Sequence, residues 1–202
     1  MNKRSFSHFG HLPVLLFLGV GALSSCTLLD TRVVFSPPGT TTTIIMVRHA
    51  ERDEGYDPPL NAEGLIRAEA LADELENAGV TAIFYPDFIR NRQSAEPLAQ
   101  RANPTPTTHV YTQLEAADTK ALANRFVQEV LTNHAGGVVL WIGNTGPFIE
   151  NVQEGNLQEI YFRLGGTGNP PVLYRDLYTI VLYDDIPPII TEGTYGGPSS
   201  LD

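Results

Sequence analysis

Apolar residues fall along this chain in two rhythms. Short continuous runs rich in β-branched residues occur at Thr43–Val47, Val80–Tyr85, Thr107–Tyr111, Gly137–Ile142 and Leu177–Tyr183. Each is bounded by glycine, proline or polar residues and reads as a strand, Thr43–Val47 as a buried one. Ile189-Ile190-Thr191 has the look of a further strand at a sheet edge. Between the runs, apolar positions recur every three or four residues. Leu65, Ala68, Leu71, Ala72 and Leu75 predict a helix over Asn61–Ala78, with Asn61 as its N-cap and Gly79 as its stop. A second helix is predicted over Phe88–Ala102, kinked at Pro97. A third runs over Asp118–His134 through Leu122, Phe126 and Val130, and Pro147 suits the first turn of another. Strands alternating with helices predict an α/β fold, a three-layer α/β/α sandwich around a mostly parallel sheet. Ligands of such sheets bind beyond the carboxyl ends of the strands, so residues just after Val47, Tyr85, Tyr111 and Ile142 carry the functional interest.

The pattern differs at the N-terminus. Lys3 and Arg4 precede the apolar run Leu12–Leu23, which has the length of a signal-peptide core and is too short to span a bilayer as a helix. Leu23-Ser24-Ser25-Cys26 then resembles a bacterial lipobox. That resemblance implies a signal peptide over residues 1–25 and a lipid-modified Cys26. It places the mature protein in the bacterial cell envelope, anchored to a membrane and facing the periplasm or exterior. Residues 26–42, rich in Thr, Pro and Gly, read as an extended tether leading to a domain over 43–202.

Composition narrows the function. Of 202 residues, 23 are acidic and 13 basic, a formal net charge of −10. Loss of Lys3 and Arg4 with a signal would make it more negative still. Such a surface is a poor partner for nucleic acid, which rewards clustered Lys and Arg. Cys26 is the single cysteine, which excludes a disulfide framework and a Cys-rich zinc site. There is no P-loop and no His-x-x-x-His pair, so neither a metal nor another cofactor is expected. His109, within a strand, and His134, at a helix end, read as structural or surface residues.

Against this acidic background the cations at strand ends stand out. Arg48-His49-Ala50-Glu51-Arg52 follows the first strand, and Arg90-Asn91-Arg92-Gln93-Ser94-Ala95 opens the helix after the second. Positive charge at a helix N-terminus opposes the helix dipole, and a bound phosphate is a reason for it. The ordinary alternative is that these arginines face solvent or pair with Asp87 and Glu96.

These motifs resemble the histidine phosphatase superfamily, the phosphoglycerate mutase-like group that also includes bacterial phosphohistidine phosphatases and acid phosphatases. Arg48-His49-Ala50-Glu51 resembles its Arg-His-Gly/Ala motif. Pro59-Leu60-Asn61-Ala62-Glu63-Gly64 and Arg67-Ala68 resemble its entry into the first helix, and Arg90 to Ala95 resembles its second arginine motif. Tyr195-Gly196 is similar to a terminal pair in related bacterial lipoproteins. The resemblance implies that His49 is a nucleophile forming a phosphohistidine, while Arg48 and Arg90 grip the phosphoryl oxygens. It implies a carboxylic acid after the third strand, for which Glu115 is preferred over Asp118. The expected partner is a phosphorylated small molecule or phosphoprotein.

One position departs from the family pattern. A second histidine belongs after the fourth strand, in a Gly-His setting. Here Ile142-Gly143-Asn144-Thr145 puts Asn144 in its place. An amide donates without charge, and loss of a preorganised donor costs about 10²- to 10³-fold in rate. The expectation is a weakened phosphomonoester or phosphohistidine hydrolase, with Asn144 as a neutral phosphate contact. The alternatives are a pseudophosphatase that binds phosphorylated ligands without turnover, and a surface lipoprotein with no enzymatic role. Asn156–Tyr174, Gly- and Pro-rich, is the expected specificity loop.

Overall fold

The computed structural model describes residues 33–146 and 155–202 together with Met1. The expected signal peptide, Cys26 and Pro147 lie outside the described residues. Among those described, no helix is long and apolar enough to cross a membrane.

The elements run β1 (Thr42–Arg48), α1 (Ala62–Leu75), β2 (Val80–Pro86), α2 (Ile89–Arg101), β3 (Thr107–Tyr111), α3 (Gln113–Ala117), α4 (Thr119–Asn133), β4 (Val138–Gly143), α5 (Asn156–Arg163), β5 (Asp176–Leu182) and β6 (Ile189–Thr194). The sheet order is β3-β2-β4-β1-β5-β6. Pairings are parallel from β3 to β1, while β5 and β6 join antiparallel at the other side. The Ile189 run is an edge strand, as its short, half-exposed pattern predicts.

Alternation along the strands builds two cores. Ile44 and Met46 of β1, with Phe84 and Trp141, face α4 and α5 through Leu122, Phe126, Val130 and Ile160. Ile45 and Val47, with Ile83 and Ile142, face α1 and α2 through Leu71, Leu75, Ala95 and Leu98. Each such large side chain withdrawn from water contributes about 1.5–3 kcal/mol. The predicted three-layer sandwich is therefore the observed one.

Four details differ from the expected pattern. Leu65 is 52% exposed, because the buried stripe of α1 runs through Gly64, Arg67, Ala68, Leu71, Ala72 and Leu75, and Leu65 turns away from it. Part of the expected tether is packed on the domain. Val34 is buried, the Ser36 N–H donates to the Tyr183 carbonyl at 2.8 Å, and the Ser36 and Thr42 hydroxyls meet at 2.7 Å. The five-residue α3 precedes α4, started by a capping box in which Thr112 and Glu115 serve each other's backbone. Finally, the first half of the expected loop Asn156–Tyr174 is α5, whose Leu157, Ile160 and Tyr161 are buried at helical spacing.

Candidate active site

Parallel pairing of β1 with β4 sets Arg48 opposite Gly143 in register, so the next residues, His49 and Asn144, leave the sheet side by side. The His49 N–H donates to the Gly143 carbonyl at 3.0 Å, which extends the ladder by one rung. Gly143 suits this place because a Cβ there would come within 2.5 Å of Trp141 Nε1 and 2.9 Å of Leu157 Cβ. On the other side of β4, β2 ends at Pro86 and delivers Arg90 in the first turn of α2. Three strand ends thus converge on a cavity of about 280 Å³ lined by Arg48, His49, Arg52, Tyr56, Arg90 and Asn144, with Gly55, Thr145 and Gly146 at its margin. No carboxylate is among these described lining residues.

His49 is 3% exposed. Its Nδ1 lies 2.8 Å from the Ala50 carbonyl oxygen, which can only accept, so Nδ1 carries the hydrogen and Nε2 is the nitrogen with the lone pair. Burial pushes the imidazole pKa well below its ordinary value, and Arg90, Arg48 and Arg52 push the same way. The ring is a neutral base with a fixed tautomer.

The loop that carries it is clamped from three directions. The Ala50 N–H donates to Ser94 Oγ at 2.9 Å, and Ser94 Oγ–H donates to the Arg90 carbonyl at 2.7 Å, which ties the loop to α2. Glu51, fully buried, accepts from Arg67 Nε at 2.6 and 2.8 Å. Arg67 also donates to the carbonyls of Tyr195 and Gly197, which explains the terminal Tyr-Gly pair, since a Cβ on Gly196 would approach Arg67 Nη1 to 3.2 Å. Gly64 is required on α1, because a Cβ there would lie 2.0 Å from the Glu51 carbonyl oxygen.

The guanidinium groups differ in what holds them. Arg48 lies over the Tyr174 ring at 3.8 Å and donates to Tyr174 Oη and the Val172 carbonyl, both at 3.0 Å. Its Nε is buried without a partner, and burial lowers its pKa. Arg90, 3% exposed, donates through Nη1 to the Tyr56 carbonyl at 3.2 Å and to Asp57 Oδ1 at 3.3 Å, and lies over Phe88 at 4.2 Å. Burial first, and Arg52 beside it, hold Arg90 down at about 10. Three cations crowd one small cavity, the arrangement of an anion receptor.

Asn144, 2% exposed, lies between Asn91 and Arg90. A guanidinium has donors only, so the Asn144 carbonyl turns to Arg90 and accepts from Nη2 at 2.9 Å and Nε at 3.1 Å. The expected neutral phosphate donor is therefore, in this orientation, an acceptor that fixes Arg90. Arg92 is a clear correction. It is exposed and lines a different surface hollow with Tyr85 and Thr108, because residues two apart on a helix point to opposite sides. Glu115 is another. It is not among the lining residues, its Oε2 accepts from the Thr112 N–H and hydroxyl at 2.8 and 2.9 Å, and Arg125 pairs with Oε1. Those bonds hold its carboxyl below the ordinary range, the wrong direction for a general acid. Asp118 caps α4 by accepting from the Ala121 N–H at 3.0 Å. Arg52 stands in the first motif with no role expected of it, Tyr174 enters only as the end of the expected specificity loop, and Tyr56 is not singled out by the sequence. For Arg52 a signal existed, a third cation four residues past Arg48.

The family model of the histidine phosphatase superfamily, branch 1, matches residues 44–155. An 8-oxo-(d)GTP phosphatase of Mycolicibacterium smegmatis is 35% identical over 104 residues, 45% of this chain and 31% of that protein. The chain thus spans about a third of the length of this curated relative. The protein histidine phosphatase SixA complexed with tungstate superposes with a TM-score of 0.54 at 15% identity, over 75% of this chain and 96% of that one. A phosphoglycerate mutase from Bacillus anthracis gives 0.52 at 14% identity, over 77% and 92%. At these identities the two structures establish the fold.

Proposed function

Because the chain belongs to branch 1 of the histidine phosphatase superfamily, we propose that it hydrolyses phosphate monoesters or phosphohistidine through a phosphorylated His49, and does so slowly. The observation that carries this reading is the tautomer of His49, whose bond to the Ala50 carbonyl leaves Nε2 unprotonated beside three guanidinium groups. The Nε2 lone pair would attack phosphorus as the ester P–O bond breaks, and Arg48 and Arg90 would neutralise the equatorial oxygens. The leaving alkoxide, or the imidazole leaving a phosphohistidine substrate, takes a proton from solvent water, and a water then attacks phosphorus as the P–N bond to His49 breaks, releasing phosphate and restoring the neutral ring. Two features slow these steps. Asn144 supplies no charged donor, and no carboxylic acid stands among the described lining residues.

The test is an assay of the full chain on an aryl phosphate, with rapid quenching to trap acid-labile phosphohistidine. Slow turnover that disappears in His49→Ala, together with a rate gain in Asn144→His, supports the proposal. Absence of both turnover and trapped phosphoenzyme sinks it. A second reading, a pocket that binds phosphorylated ligands without turnover, is favoured by the Asn144 carbonyl being committed to Arg90. It stands if phosphate raises the melting temperature of an inert protein, and falls if phosphate does not bind.

Membrane anchoring is part of the same proposal. Cys26, at the end of the apolar run, would carry acyl chains, each buried methylene contributing about 0.8 kcal/mol to membrane binding, and hold the domain at the bacterial envelope. Cys26→Ala should move the protein from the membrane fraction to the soluble one. An unchanged distribution overturns the anchor.

A further inference from the structure

Away from the cavity, at the β3 edge of the sheet, two histidines and a carboxylate meet. His109 is on β3, Glu129 is on α4, and His134 is the C-cap of α4. One ligand atom from each lies within 4.8 Å of the others. The His109 and His134 rings meet edge to face at 4.8 Å, and both pack on Phe84, His109 stacked at 4.3 Å and His134 edge-on at 5.4 Å.

Hydrogen-bonding groups surround this cluster. The Thr107 hydroxyl lies 3.3 Å from the Thr81 carbonyl and 3.0 Å from His109 Nε2. His109 Nδ1 faces the Glu129 carboxylate oxygen Oε1 at 3.0 Å, so a proton or a cation lies between them. The second oxygen of Glu129 is held by the Tyr111 hydroxyl at 2.8 Å, so the carboxylate cannot simply turn away. Independently, His134 Nε2 is buried with no hydrogen-bond partner.

We infer that His109, Glu129 and His134 form a binding site for a divalent first-row transition ion of the zinc type. The donor set of two imidazoles and a carboxylate is that of three-ligand zinc sites, which keep a fourth position for water. In a tetrahedral site the donors lie roughly 3.4 Å apart, so the widest separation closes by about 1.4 Å. Thr107 and Tyr111 already supply what such ligands need behind them, one orienting an imidazole and the other a carboxylate. The ion replaces a proton between His109 Nδ1 and Glu129, gives His134 Nε2 its partner, and pins the end of α4 to the edge strand β3. It has no part in the chemistry at His49.

The test uses the full chain stripped with a chelator and titrated with Zn²⁺ by calorimetry and with Co²⁺ by visible absorption. One ion per chain, a tetrahedral Co²⁺ spectrum and a Zn²⁺-dependent rise in melting temperature are expected. His134→Gln and Glu129→Gln should each abolish all three, while His49→Ala leaves them intact. Tyr111→Phe should weaken binding by about 10- to 100-fold. Circular dichroism reports whether each variant folds, and Glu129→Gln is the conservative replacement should His134→Gln not fold. Failure of the parent protein to bind Zn²⁺, or binding with unchanged stoichiometry and Co²⁺ spectrum in Glu129→Gln, overturns the site.

Discussion

At the scale of single residues, a protein that keeps an imidazole neutral by burying it makes its own stability depend on acid. The native His49 resists protonation to well below pH 6.5, whereas the unfolded chain takes the proton at about that value. Above pH 6.5 both states are neutral and His49 costs nothing. As pH falls through the window between 6.5 and the lower native value, the unfolded state gains a proton that the native state refuses, and stability drops by up to about 1.4 kcal/mol per pH unit. His134 shifts in the same direction and adds to this limb. Urea denaturation from pH 7 to pH 5 should show His49→Gln losing part of the acid sensitivity. Equal slopes in both proteins would place the burden elsewhere. Asn144 offers a second residue-scale prediction. Asn144→Asp keeps an acceptor for Arg90, and strengthens it, but adds a negative charge beside the phosphoryl position. Phosphate affinity should fall by at least tenfold while the melting temperature without ligand holds. Affinity equal to that of the parent would show that Asn144 does not border the bound anion.

At the scale of elements, Glu51 and Arg67 tie the loop after β1 to α1 and to the residues after β6. Arg67 makes four hydrogen bonds, two to Glu51 and two to backbone carbonyls, and both partners of the ion pair are almost fully buried. Removing one partner of a buried pair leaves an uncompensated charge and costs about 3–5 kcal/mol. Arg67→Met should lower the melting temperature by on the order of 10 °C. Arg67→Lys should rescue little of it, because an ammonium lacks the planar fork that reaches a carboxylate and two carbonyls together. A drop of only a degree or two in Arg67→Met would mean the loop is held by Ser94 instead. The same elements show what a sequence can reveal. The strand runs and the helices over Ala62–Leu75 and Thr119–Asn133 were legible, because buried strands and amphipathic helices repeat their pattern over many residues. The short α3 was not, since five residues carry too little periodicity, and its Glu115 looks catalytic until its capping role is seen. Charge and position alone do not separate Arg90 from Arg92, for a related reason, and only the family resemblance singles out Arg90. Which of the two faces the cavity depends on the phase of α2, set by Asn91, Ser94, Ala95 and Leu98 packing inward. Likewise His109 and His134, 25 positions apart in the chain, become neighbours only through the packing of α4 on the sheet.

At the scale of the whole molecule, the question is whether an acidic chain of net charge −10 repels the anion its cavity is built for. The two fields act over different ranges. Charges spread over the surface are screened beyond about 8 Å at physiological salt, whereas Arg48, Arg52 and Arg90 meet inside one cavity of about 280 Å³ with reduced solvent. Contact should win over the distant field, so inorganic phosphate should bind and stabilise the fold. At a hundred times its dissociation constant a ligand adds about 2.7 kcal/mol, which for a domain of this size raises the melting temperature by roughly 5–10 °C. The informative comparison is between two variants of equal charge. Arg90→Gln and Arg92→Gln each remove one cation from the first turns of α2, but only Arg90 lines the cavity. Arg90→Gln should lose most of the phosphate-induced shift, and Arg92→Gln should keep it. If both lose it equally, the general field of the helix end binds the anion and the cavity does not. If neither loses it, phosphate binds somewhere other than beside His49, and the phosphohistidine chemistry loses its site.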